Sequence, residues 1–205
     1  LKISQLEIAG FMEPAEEVGG DYYDILQQND RITIGIGDVT GHGLESGVLT
    51  IVAQTAIRTL IENGVSEPEK ILEVLNRTVY KNLQRMGSSK TMTLALLDYY
   101  QGKVTMSGQH EEAIVVRSNG TGENFDTIDL GFPIGLEENI TEFLDRTEIQ
   151  LHSGDVIVLY TDGVTEADNS DGIQYGVERL CKVIQQHRQR SALEIRQSVI
   201  DDLRQ

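Results

Sequence analysis

At 205 residues the chain suits one domain around one core, and it is shorter than the size at which cores usually divide. Hydrophobic residues make up 39%, charged residues 24%, and there are only 3 prolines, which argues against fibrous or disordered classes. A formal net charge of -16 would repel phosphate backbones and anionic bilayers, so nucleic-acid binding and direct membrane contact are not expected.

Cys181 stands alone, so no internal disulfide can form, and its neighbours Leu180, Val183 and Ile184 suggest a thiol packed on a helix. No stretch approaches the roughly 18 apolar residues of a membrane span, and no charged-then-apolar leader opens the chain. A reducing cytoplasm is the expected location. Because the chain opens on Leu1 and runs straight into an alternating segment, it reads as one module excised from a larger regulatory protein with an upstream sensor.

In chain order, Ile32, Ile34 and Ile36 alternate with Thr33, Gly35 and Gly37, which is strand periodicity. A turn at Gln28-Asn29-Asp30 joins this run to residues 21–26 as a hairpin, with Asp21 at its start and Asp38 at its end. Leu44, Val48, Val52, Ala56 and Leu60 recur every four residues and predict an amphipathic helix closed by Gly64. Ser66 and Glu69 form a capping-box pattern around Pro68, opening a second helix whose stripe is Leu72, Leu75, Val79 and Leu83.

Residues 91–99, 103–107 and 113–117 return to strand periodicity and read as an antiparallel meander. Residues 143–151 give another strand, and the turn His152-Ser153-Gly154-Asp155 leads into Val156-Ile157-Val158-Leu159-Tyr160. That last run is apolar on both faces, so a central, fully buried strand is expected. Two helices follow, from about residue 175 to 186 and from a capping box at Ser191 and Glu194. The fold class is therefore α+β, an antiparallel β-sandwich flanked by helices over residues 1–205.

Asp21 follows Gly19-Gly20, Asp38 follows Gly37, and Asp162 precedes Gly163, each beside an apolar strand. Carboxylates there would be costly to bury unpaired, and a hard divalent cation would neutralise them while the glycines let backbone oxygens and solvent approach. The glycines of residues 35–43 match neither a dinucleotide fingerprint nor a P-loop, so acidic, glycine-rich strand ends point to metal-mediated phosphate chemistry. His42 is a candidate general acid or phosphate ligand. Asp168-Asn169-Ser170-Asp171-Gly172 lacks the ligand spacing of a calcium loop and reads as a turn.

The blocks Pro14-Ala15-Glu16-Glu17-Val18-Gly19-Gly20-Asp21-Tyr22-Tyr23-Asp24, Gly37-Asp38-Val39-Thr40-Gly41-His42-Gly43 and Leu159-Tyr160-Thr161-Asp162-Gly163-Val164-Thr165-Glu166-Ala167 stand in that order. They resemble the signatures of bacterial PPM-type (type-2C-like) phosphatases in their sporulation stage II E and sigma-regulator branch. The resemblance implies an α-β-β-α architecture and hydrolysis of phosphoserine or phosphothreonine by a hydroxide bridging two Mn²⁺ or Mg²⁺ ions. In it Asp21 ligates one ion, Asp38 bridges both with help from the Val39 carbonyl, and Asp162 ligates the other. It also implies a phosphorylated regulatory partner, such as an anti-sigma-factor antagonist.

Three departures accompany the match. Gly20 stands where eukaryotic enzymes carry a glutamate, Ser107-Gly108-Gln109-His110-Glu111-Glu112 replaces Gly-His-Pro-Pro, and the family's terminal Asp-Asp strand motif is missing. The last leaves two expectations open: a chain lacking its final strand and one ligand, or a catalytically silent PPM fold used as a signalling module. Asp201 and Asp202 follow a helical stripe of Ile195, Val199 and Leu203, so they are expected on a solvated helix face.

Overall fold

The computed structural model describes residues 2–3, 6–13 and 19–205; Pro14 to Val18, which open the first signature block, lie outside the described residues. The chain divides into two compact units, residues 14–110 with 126–151, and residues 1–13 with 111–125 and 152–205.

The larger unit is built on a five-stranded antiparallel sheet. Its strands are β3 (Asp21–Gln28), β4 (Arg31–Val39), β5 (Met92–Tyr100), β6 (Lys103–Gln109) and β9 (Arg146–Gln150), adjacent in that order. Two-residue turns fix the register of the first hairpins. Gln28 pairs with Arg31 across Asn29-Asp30, and Tyr100 pairs with Lys103 across Gln101-Gly102, whose φ values of 49° and 84° suit a type I′ turn.

Helices α1 (Leu44–Glu62) and α2 (Pro68–Met86) cover one face of this sheet. Tyr22, Leu26, Val39, Met92, Leu94 and Leu96 pack there with Leu49, Ala53, Ile57 and Ile61 of α1 and Ile71, Leu72, Leu75, Val79 and Leu83 of α2. The α2 stripe is the one the sequence predicts. That of α1 is not: Leu44 is 77% and Val48 41% exposed, and the buried row lies one residue further along. Apolar residues surround α1, so a four-residue repeat fits more than one of its faces.

By length and composition α1 is the one helix among the described residues that could cross a membrane, which the sequence reading did not anticipate. Its buried row packs against this sheet. The capping box expected at Ser66 also fails: the residue before Pro68 is Glu67, without a side-chain cap, and Pro68, lacking an N–H, takes the first turn.

The smaller unit holds a two-stranded pair, β1 (Lys2–Ile3) with β2 (Leu6–Glu7), and a three-stranded antiparallel sheet ordered β10 (Val156–Val158), β7 (Ala113–Val116), β8 (Gly122–Phe125). The expected meander is therefore broken, because β7 pairs with β8 and β10 while β6 takes β9 as its second neighbour. The run from Val156 is likewise no central strand. Among the described residues β10 forms one edge of its sheet, and Val156, Ile157 and Val158 are only half-buried. Helices α4 (Val177–His187) and α5 (Ala192–Leu203) pack on this sheet through Leu180, Ile184 and Ile195 against Ile114 and Val116.

Ser191 caps α5 with both bonds of the expected capping box. Asp202 is more than a solvated helix residue: it accepts from the Tyr175 hydroxyl at 2.9 Å and from Arg179 Nε at 2.8 Å. The expected turn at 168–172 is closed by Asn169, whose side-chain oxygen accepts from the Asp171 and Ile173 amides.

Arg117 ties β7 to the following turns, donating to Glu123 at 2.6 Å and to Asp155 at 3.0 Å. Burial alone would raise the Asp155 carboxyl, but the His152 and Ser118 amides and Arg117 outweigh it and hold it below the ordinary aspartate value. A lowered pKa stabilises the fold above the unfolded value, and this contribution is lost as pH falls through the folded value. An Asp155→Asn protein should thus melt lower than wild type at pH 7, and the difference should shrink on titration below about pH 4. Equal melting temperatures at pH 7 would remove Asp155 from the account.

Candidate metal centre

The β3–β4 register brings two acids together from either end of a hairpin. Asp21 opens β3 and Asp38 is the penultimate residue of β4, and the two are direct cross-strand partners. Thr93 of β5 pairs with Asp38 from the other side. Paired residues share a sheet face, and Val39, next along β4, packs under the helices. Asp21, Asp38 and Thr93 therefore lie on the opposite face, at one end of the sheet.

The Thr93 hydroxyl is 2.9 Å from His110 Nδ1, extending this polar row past the end of β6. His110 is fixed in turn through its backbone: its N–H donates to the buried Thr127 hydroxyl at 2.9 Å, and its carbonyl accepts from the same group.

Gly20 supplies the space beside the two acids. A β-carbon there would lie 2.5 Å from the Val39 carbonyl oxygen and 2.8 Å from Asp38 Oδ1, closer than real side chains come. Both oxygens thus open onto a cradle that any side chain at position 20 would fill. Carboxylate and carbonyl oxygens are the donors that Mg²⁺ and Mn²⁺ prefer, so these residues fit a hard divalent ion. Among the described residues no three His, Cys, Asp or Glu side chains form a ligand group, so such an ion would rest on two carboxylates, a carbonyl and water.

The loop after Val39 is held on several sides. The Thr40 carbonyl accepts from Lys90 Nζ at 2.6 Å, the Gly41 carbonyl accepts from the Ser46 hydroxyl at 3.1 Å, and the Thr40 amide donates to Thr91 at 2.9 Å. His42 sits exposed on this loop, between Gly41 and Gly43, whose φ values are 70° and 94°. Lys90 and Thr127 stand in no motif of the sequence, and His110 appears there only in the stretch that replaces Gly-His-Pro-Pro.

Asp162 belongs to the smaller unit, and it does not end a strand. Three residues separate it from Val158, and it begins a one-turn helix, α3 (Asp162–Thr165), behind Thr161. Beside it in the same unit, burial and then the charges of Asp162, Glu112 and Glu166 push the Glu111 carboxyl up.

The chain is similar to several proteins of known kind. It is 29% identical over 202 residues to the phosphoserine phosphatase RsbU of Bacillus subtilis, covering 97% of this chain and 58% of that protein. It therefore spans little more than half the length of this relative. Among solved structures, the SiaA-PP2C domain of Pseudomonas aeruginosa superposes with a TM-score of 0.77 at 24% identity, over 93% of this chain and 75% of that one. RsbX, solved in complex with magnesium, superposes with a TM-score of 0.60 at 16% identity, over 93% and 81% of the two chains. Residues 28–205 match the family described as stage II sporulation protein E (SpoIIE). With antiparallel sheets, flanking helices and a match over most of its length, the chain belongs to the SpoIIE family and has the PP2C-type fold.

Proposed function

We propose that this chain is a divalent-metal-dependent phosphatase domain that removes phosphate from serine or threonine of a regulatory protein. The observation that carries the reading is the in-register pair Asp21 and Asp38, with the Val39 carbonyl, around the cradle at Gly20. Similarity to a phosphoserine phosphatase supports the substrate class. The partner proposed is an anti-sigma-factor antagonist, and the lone half-buried thiol of Cys181 suits a cytoplasmic setting.

Asp21, Asp38 and the Val39 carbonyl would hold a divalent ion, and Asp162 is proposed as a further ligand. Bound Mn²⁺ or Mg²⁺ supplies Lewis acidity that makes water nucleophilic near neutral pH and offsets charge on the phosphoryl oxygens. Water attacks phosphorus, the bond from phosphorus to the serine oxygen breaks, and that oxygen takes a proton for which His42 is the proposed donor. Thr93 borders Asp38 and bonds His110, and Lys90 holds the loop that carries His42.

The test is manganese-dependent phosphate release from an aryl phosphate and from a phosphoserine peptide. Wild type should turn over both, and Asp162→Asn should lose about 10²-fold or more, as loss of a charge-stabilising group does elsewhere. Metal-independent turnover, or an Asp162→Asn protein as fast as wild type, would rule out this assignment. No turnover of either substrate by wild type would favour a silent signalling module.

A further inference from the structure

The polar row at the metal end of the sheet continues past Asp38 to a histidine that the phosphatase chemistry leaves without a role. The Val39 amide donates to the Gly20 carbonyl, so Gly20 and Val39 form a hydrogen-bonding pair. Asp21 and Asp38, one step along, are then a pair of the closer kind, with α-carbons about 4.5 Å apart. The same alternation holds across β5 and β6. One step beyond the pair Leu94 and Gln109, Thr93 faces His110. The amides of Gly108 and His110 both turn away from β5, to the Leu130 carbonyl at 2.8 Å and the Thr127 hydroxyl at 2.9 Å. Thr93 and His110 are therefore also a close pair, on the face that carries Asp38.

Two features single out this pair. Where β6 runs past the end of β9, the buried Thr127 hydroxyl accepts from the His110 amide and donates to its carbonyl. One side chain thus satisfies both main-chain groups that the missing neighbour would have taken, and the ring is held in one place. Its Nδ1 stands 2.9 Å from the Thr93 hydroxyl, and that oxygen lies 3.4 Å from the Asp38 carbonyl. Thr93 is β-branched and restricted at its first side-chain torsion, and the imidazole selects the rotamer that turns the hydroxyl along the row. Either tautomer completes the link. Nδ1 accepts the hydroxyl proton, or Nδ1–H donates and that proton turns to the Asp38 carbonyl.

We infer that His110 is a positioning residue for the metal centre, acting through the Thr93 hydroxyl on the end of β4 from which Asp38 projects; the inference rests on the reading of Asp21 and Asp38 as ligands. Like charges directly opposite one another push neighbouring strands apart before an ion arrives. The link from His110 through Thr93 holds β4 from its other side, so Asp38 is already in place when the ion binds. In this role His110 touches neither ion nor substrate. Groups one bond behind a metal ligand typically cost roughly 10–100-fold in metal affinity when removed.

The experiment is calorimetric titration of the purified protein with Mn²⁺. His110→Ala and Thr93→Val should each bind Mn²⁺ about 10-fold or more weakly than wild type, and the double variant no more weakly than the worse single one, because the two act through one bond. Thr93→Ser keeps the hydroxyl and should stay near wild type. Melts without metal separate this from general damage: Thr93→Val, close to threonine in shape, should melt near wild type while its Mn²⁺ affinity falls, and it carries the test alone if His110→Ala does not fold. Raising Mn²⁺ should restore most of the turnover of aryl phosphate. Wild-type Mn²⁺ affinity in both single variants, or losses that add in the double variant, would overturn the inference. Mn²⁺ binding without turnover by wild type would overturn the phosphatase reading and leave this one standing, whereas no Mn²⁺ binding by wild type would overturn both.

Discussion

An Asp38→Asn protein should fold as wild type does, yet release phosphate from an aryl phosphate about 10³-fold more slowly, a loss of ~4 kcal/mol in transition-state stabilisation. Its stability should move the other way. Asp21 and Asp38 stand directly opposite each other on neighbouring strands, and like charges in that arrangement destabilise a sheet by roughly 0.2–1 kcal/mol. Neutralising one of them relieves that repulsion, so without metal the variant should melt at or slightly above wild type. Millimolar Mn²⁺ should raise the melting temperature of wild type, because a ligand that binds only the folded state stabilises it. In the variant that rise should be largely lost. Thermal melts with and without Mn²⁺, run beside phosphate release, check both halves. A variant keeping its manganese-induced shift and its rate would show that the carboxylate pair is structural.

How far this centre can be read from sequence depends on what each residue's signal encodes. The β3–β4 hairpin was legible because alternation marks the strand and Asn29-Asp30 marks the reversal; the turn then sets the register that brings Asp21 to Asp38. The glycines were legible as unusual, but the reason for Gly20 was not. Its lack of a side chain matters because of Val39 and Asp38, which lie on the neighbouring strand. His110 is visible in the sequence only within a stretch that departs from the family pattern, and its pairing with Thr93, 17 positions away, has no local signal. Helix α1 misled for the opposite reason, because its signal was too broad: Val48, Leu49, Ile51, Val52, Leu60 and Ile61 supply apolar residues in several directions, and the sheet selects one. The β10 run was read as central because it is apolar on both faces, but apolarity does not fix how many neighbours a strand has. The motif singles out Asp162 in the sequence, while its position on a one-turn helix rather than at a strand end depends on where pairing with β7 stops.

Gly20→Ala should damage the centre with no change of charge and no loss of a ligand side chain. The glycine's φ is not in the left-handed region, so the alanine backbone is unstrained and the effect is steric. The added methyl would sit 2.5 Å from the Val39 carbonyl oxygen and 2.8 Å from Asp38 Oδ1. The Asp38 carboxylate can rotate, but the Val39 oxygen is backbone. Val39 is held in the ladder by its pairing with Met92, and its amide donates to the Gly20 carbonyl at 3.2 Å. Relief therefore requires either that the start of β3 swing away or that the Val39 carbonyl turn aside. The first route breaks the Val39 bond and the 3.2 Å bond from the Thr50 hydroxyl to Gly20, and the second removes the carbonyl from the oxygen set. Overpacking of this kind costs about 1–3 kcal/mol of stability. A displacement of about 1 Å among catalytic groups costs on the order of 10² in rate. Activity should accordingly fall much further than the folded fraction, with Mn²⁺ affinity falling alongside it, and Gly20→Ser should be at least as severe as Gly20→Ala. Calorimetric titration with Mn²⁺ and phosphate release on the purified variants measure both effects, and wild-type values for each in Gly20→Ala would show that the cradle at Gly20 is not where the ion binds.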